Sequence, residues 1–118
     1  MENIINQLNV SEIINSDSAV SPKDGDLVYV EIDRSISENK VVKLDFSGIR
    51  ILITAFLNAA IGQLYSKYDS RQLNKLLKLT NVADEDKILF KKVVERAKEY
   101  FANKKEFEES ANNAFYGN

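Results

Sequence analysis

The run Val41 to Phe46, VVKLDF, constrains the fold more than any other stretch of this chain. It is short, opens on two β-branched residues and is largely apolar on both faces of an extended chain, as a central strand covered by helices requires. Ser47-Gly48 supplies turn residues at its end. Apolar character then resumes from Ile49 to Tyr65, a run that ends as a helix. A buried strand leading through one turn into a helix is a building unit of α/β folds.

The flanking elements extend that pattern. Ile5 to Val10 reads as a short strand followed by a turn of helix, and the polar run NSDSAVSPKDGD reads as a loop. At its end Ser21 can cap a helix, Pro22 suits the first helical position and Asp24 complements the positive helix end, so a helix is expected over Pro22 to Ser37. The segment IRILI is expected to cross the sheet edge. Thr54 then falls at the N-cap of a helix over Ala55 to Lys67 that buries Phe56, Leu57, Ala59, Ala60 and Leu64. After the loop KYDSR, the stretch NKLLKLTNV reads as a strand. The last helix opens on Asp84-Glu85-Asp86, ends near Lys104-Lys105 and repeats Leu89, Val93, Ala97 and Phe101 along one stripe. The order is strand, helix, three times over. That order implies an α/β fold with a mostly parallel or mixed sheet of about four strands and three main helices. One domain over 1–103 and a polar tail over 104–118, free to fray, account for the chain.

Composition narrows the chemistry. With 118 residues and 44% hydrophobic content, the chain can build one core. The 16 basic and 18 acidic residues are interspersed, which leaves no strong field to gather nucleic acid or an anionic membrane. There is no Cys and no His, so thiolate chemistry, disulfides and the usual neutral-pH base are absent from the inventory. No cofactor or metal is expected. The start lacks a basic and apolar export signal and no apolar run reaches membrane-spanning length, so a cytoplasmic protein is expected.

Particular residues invite sharper readings. Ser47-Gly48 is too short for a phosphate-cradling loop, which needs several glycines and a Lys. Asp45 is either a strand-end carboxylate accepting backbone N–H bonds from the next loop or an acid with a raised pKa. Asp84 to Asp86 point in different directions at a helix start, which favours the helix dipole over a cation site. Tyr65 and Phe101 suit the core. Phe107, Phe115 and Tyr116 either pack back onto the domain or anchor another chain, and a homo-oligomer is left open.

The stretch VVKLDFSGIRILITAFLNAAIGQLY also resembles a known group. An apolar strand ending Asp45-Phe46-x-Gly48-Ile49, a connection holding Thr54, then Phe56 and a later Gly62-x-Leu64 is similar to the STAS-like domains, relatives by fold of the anti-sigma-factor antagonists. The resemblance spans about Ser21 to Ala102, and its middle third is the specific part. It implies a small STAS-like α/β sandwich and a non-enzymatic regulator that binds a histidine-kinase-like ATPase or an anti-sigma factor. The binding surface would be the loop and helix around 47–58, with Ser47, Gly48, Arg50, Thr54 and Asn58 as partner-binding candidates. Where the antagonists carry Asp-Ser-Ser-Gly, this chain carries Ile53, Thr54, Ala55 and Phe56. The usual phosphoacceptor falls on Ala55, which leaves Thr54 as the neighbouring hydroxyl. The alternative is a small-molecule or nucleotide sensor with its ligand at the strand ends near Asp45, Ser47 and Thr54.

Overall fold

The computed structural model describes residues 4–116, with side chains through residue 104. Three parallel strands form the main sheet: β1 (Ile5–Asn9), β3 (Val41–Asp45) and β5 (Leu77–Thr80), in the order β1-β3-β5. Ile5 pairs with Val41 and Val42 with Leu77. A second parallel pair, β2 (Ser18–Ala19) with β4 (Ile51–Leu52), stands apart from it. IRILI therefore crosses no sheet edge. It finds its partner inside the polar run that sequence alone reads as loop.

The first crossover holds α1 (Val10–Ile14) and α2 (Pro22–Ser37). α2 starts as the sequence implies: the Ser21 hydroxyl accepts from the Asp24 N–H at 3.1 Å and Pro22 takes the first turn. It covers the sheet face that carries Asn6, Leu8, Val42 and Leu44, and the Asn6 amide donates to the Ser35 hydroxyl at 2.6 Å. Among the described residues, no helix covers the middle of the opposite face. Gln7, Lys43 and Lys78 form one row across it and all are exposed. β3 is thus covered by helices on one face, because Lys43 breaks the apolar run where a second layer would sit.

The second crossover departs further from expectation. The helix expected over Ala55 to Lys67 is split into α3 (Thr54–Ala60) and a 3₁₀ segment over Gly62–Ser66. The start of NKLLKLTNV is helical, α4 (Ser70–Leu76), and only its second half is strand. Asp69 and Gln72 form a reciprocal cap there: Asp69 accepts from the Gln72 N–H at 2.8 Å, and the Gln72 side chain accepts from the Asp69 N–H at 3.1 Å. That local pair overrides the strand reading of Leu76, Leu77 and Leu79.

α5 (Lys87–Tyr116) follows a 3₁₀ turn over Asp84–Asp86 and runs about 45 Å at 1.5 Å per residue, through the segment expected as a tail. Phe90, Val93 and Ala97 are its buried stripe, with Leu89 and Phe101 half-buried. Tyr65, like Phe101, lies at the core's margin rather than within it. Phe107, Phe115 and Tyr116 lie outside the residues whose side chains are described. The core joins Val10, Ile32, Val42, Leu44, Phe56, Leu57, Leu64 and Val93 into one cluster. The result is a mixed α/β globule with five helices and five strands among the described residues. The main sheet has three strands, one fewer than expected.

Candidate functional site

The carboxyl ends of parallel strands gather loops, and ligands of open α/β sheets bind there. Here the three ends are fastened together. Asp45, the last residue of β3, is 8% exposed. Its Oδ1 accepts from the Asn81 amide at 2.8 Å and from the Ser47 N–H at 2.9 Å, while Oδ2 accepts from the Ser47 hydroxyl at 3.0 Å. Asn9, at the end of β1, approaches Oδ2 at 3.5 Å and the Ser47 hydroxyl at 3.3 Å. Asn9 also caps α1, its Oδ1 accepting from the Glu12 N–H and the Ser11 hydroxyl. Among the described residues no buried side-chain polar atom lacks a partner.

These donors set the charge of Asp45. The Asn81 amide first, then the Ser47 N–H, hold its carboxyl below the ordinary 3.8 against the opposing effect of burial. The raised pKa weighed from the sequence is thus overturned, because burial is outweighed by hydrogen bonds to the charged form. Asp45 does accept from the next loop, as a strand-end carboxylate should.

Past Asp45 the chain makes a tight turn. The Ile49 N–H donates to the Phe46 carbonyl at 3.1 Å, and Gly48 has φ +85°, where a side chain is strained. β4 is then pinned to the first crossover: the Arg50 N–H donates to the Asp17 carbonyl at 2.8 Å and the Ile53 N–H to the Ala19 carbonyl at 3.1 Å. Strand alternation turns Leu52 inward and Ile51 and Ile53 outward, 53% and 43% exposed.

Thr54 is not the cap of α3. Ile53 occupies that position, with no side-chain cap bond, and Thr54 is the first residue of the helix itself, half-buried. Among the described residues no hydrogen bond joins Thr54 to Asp45 or Ser47. Arg50 is exposed, and its guanidinium lies 4.0 Å from the Asp17 carboxylate, too open a pair to be worth much. Asn58 is exposed on α3 and lines a groove of about 270 Å³ with Gly62, Gln63, Arg96 and Tyr100. Ser47 and Gly48 therefore belong to the polar clasp and its turn, Arg50 and Thr54 to β4 and the start of α3, and Asn58 to the groove between α3 and α5.

Residues 24–87 match the family described as a STAS-like domain of unknown function (DUF4325). The chain belongs to that family. The matched span of the STAS-like domain runs from α2 through β5 to the first residue of α5, so it contains Asp45, Ser47, Asn81 and the whole β4–α3 surface. Asn9, on β1, lies outside it. No curated protein and no solved structure matches the chain.

Sequence reasoning missed Ile51 and Ile53 as surface residues, and Asn9 and Asn81 as partners of Asp45. The first pair had a signal, the alternation Arg50-Ile51-Leu52-Ile53 once it is read as a strand. The second pair had none, since Asn9 and Asn81 reach Asp45 from 36 residues away on either side.

Proposed function

We propose that this STAS-like domain is a non-enzymatic protein-interaction module that docks a partner on the β4–α3 surface around 47–58. The observation that carries the reading is the exposed pair Ile51 and Ile53, held on a backbone pinned to β2, with the exposed Arg50 next to them in the chain. Apolar side chains on a fixed strand, rimmed by polar groups, match the anatomy of a protein interface. The state of Asp45 supports a non-catalytic role, since its carboxylate is charged and its oxygens are engaged by Asn81 and Ser47. A histidine-kinase-like ATPase or an anti-sigma factor is the class of partner that the relationship to antagonist domains suggests. Phosphorylation of Thr54 would add about two negative charges beside Ile53, enough to break an apolar contact by desolvation.

The test is affinity capture with the full chain beside Ile51→Glu, Thr54→Ala and Thr54→Glu. The reading expects one protein held by the wild type and Thr54→Ala and lost with Ile51→Glu. Loss with Thr54→Glu as well would give the surface a phosphate switch. Equal capture by all four would sink the proposal.

A second reading rests on an open groove of about 350 Å³ lined by Leu79, Asn81, Val82, Lys87 and Phe90, beside the clasp at the end of β5. A small anionic ligand there, such as a nucleotide, would meet Lys87 and an apolar floor. It would raise the melting temperature, by an amount that grows with the logarithm of ligand concentration above the dissociation constant. A flat thermal scan across nucleotides removes this alternative.

A further inference from the structure

In a parallel ladder successive residues of an edge strand aim their backbone groups alternately at the neighbour and away from it. The Val41 N–H donates to the Ile4 carbonyl at 2.9 Å, which turns the backbone of residues 4, 6 and 8 toward β3. The N–H and C=O groups of Ile5 and Gln7 therefore point out of the sheet. β1 is the outermost strand on that side, and among the described residues no other element donates to or accepts from these four groups.

Open edges are usually blunted by charge, proline or a bulge. The far edge is: β5 carries Lys78 in its middle. β1 has no such device. From Ile4 to Ser11 there is no charged residue and no proline, the pairing with β3 runs residue by residue without a bulge, and Ile4 and Ile5 are 68% and 56% exposed.

We propose that β1 pairs with β1 of a second copy, antiparallel about a two-fold axis at Asn6, joining two three-stranded sheets into one of six. That register sets Ile5 opposite Gln7 twice, so all four outward groups of each copy are satisfied by four interstrand hydrogen bonds. On the helix-covered face it sets Ile4 against Leu8, which already packs on the core, and covers the more exposed of the two isoleucines. A two-fold contact must be its own complement. β1 meets that condition, with hydrogen-bonding groups in symmetric positions and no charge to repel its copy, whereas β5 would bring two Lys78 together.

The test is sedimentation of the full chain over a concentration series. Wild type is expected at twice the chain mass. Gln7→Pro removes one outward donor from each copy and leaves the β3 ladder whole, since the Gln7 N–H points away from it. Two lost hydrogen bonds should weaken association about thirtyfold. Because the chain has no Cys, Asn6→Cys gives a background-free second readout. Facing residues at a non-hydrogen-bonded antiparallel position lie within disulfide reach, so oxidation should link Asn6→Cys chains quickly and Lys78→Cys chains slowly. A wild type that stays monomeric at high concentration overturns the proposal. So does a dimer that Gln7→Pro leaves intact, or one that links through position 78 and not position 6.

Discussion

Asn81 donates its side-chain amide to Oδ1 of Asp45 at 2.8 Å, so the turn that leaves β5 is tied to the last residue of β3. Asn81 can do this because it sits at φ +56°, a left-handed conformation that Asn tolerates better than most residues.

Asp45→Asn should destabilise the fold by about 2–3 kcal/mol, since an amide that keeps its oxygen toward the Asn81 amide and the Ser47 N–H must set its NH2 where Oδ2 accepts from the Ser47 hydroxyl and faces the Asn9 amide, and it loses the charge that strengthens all of these bonds. The acid response follows from the lowered pKa. Its contribution is complete above the ordinary 3.8 and is lost as pH falls from there through the folded-state value. Denaturant titrations at neutral pH and near pH 3 should show the wild type losing more stability on acidification than Asp45→Asn. Equal losses would mean that Asp45 is not held ionised by the clasp.

The start of α3 separates stability from binding. Thr54→Ala should cost less than about 0.5 kcal/mol, because the residue caps nothing, where a true cap would cost about 1. Ile53→Asp places a capping carboxylate at the vacant N-cap and should stabilise by about 0.5–1 kcal/mol. The same change removes one of the two outward isoleucines, so the proposed partner should be lost from a more stable protein. Chemical denaturation and affinity capture on the same two variants check both halves.

Gly25 lies where α2 crosses α3. A β-carbon there would sit 2.5 Å from the Phe56 carbonyl oxygen and 2.7 Å from the Ala59 β-carbon, and both obstacles belong to the facing helix. Gly→Ala inside a helix normally gains about 1 kcal/mol. Here the two helices must move apart, and Gly25→Ala should instead lose about 2 kcal/mol and lower the melting temperature by several degrees. Calorimetry of this one variant decides the sign.

Tyr68 donates its phenol to Oδ1 of Asp33 at 2.6 Å, while Lys67 pairs with the same carboxylate at 2.9 Å. Burial first, then that hydrogen bond, push the phenol far above the ordinary 10.0. A raised value adds stability that is complete below 10.0 and is lost as pH rises above it. Tyr68→Phe should therefore cost about 1 kcal/mol at neutral pH and show a smaller alkaline loss than the wild type. An ultraviolet phenolate titration, wild type against variant, would reveal a tyrosine that resists ionisation.

The elements legible in the sequence were those whose signals are local. Ser21-Pro22-x-Asp24 marks the start of α2, and VVKLD marks β3, because caps and short apolar strands are written in neighbouring residues. Asp69 and Gln72 mark α4 just as locally, but the run Leu76-Leu77-Lys78-Leu79 after them carries a competing strand signal. β2 and β4 are two residues each, too short to show a period, and exist only because they meet across 33 residues of chain. The clasp divides the same way. Asp45 with Ser47 is a local turn and was expected, whereas Asn9 and Asn81 join it only after the sheet has formed.

The parallel order β1-β3-β5 also governs how the molecule is reached from the unfolded chain. No two neighbouring strands are joined by a hairpin, and paired residues stand roughly 35 positions apart. Each ladder must therefore close a long loop before its first bond forms, an entropic cost that slows sheet assembly. The capped helix α2 and the reciprocal Asp69–Gln72 cap need no such closure and can form early. Assembly is then a search in which preformed helices wait for distant strands, and the Asp45 clasp, which needs all three strand ends, closes last.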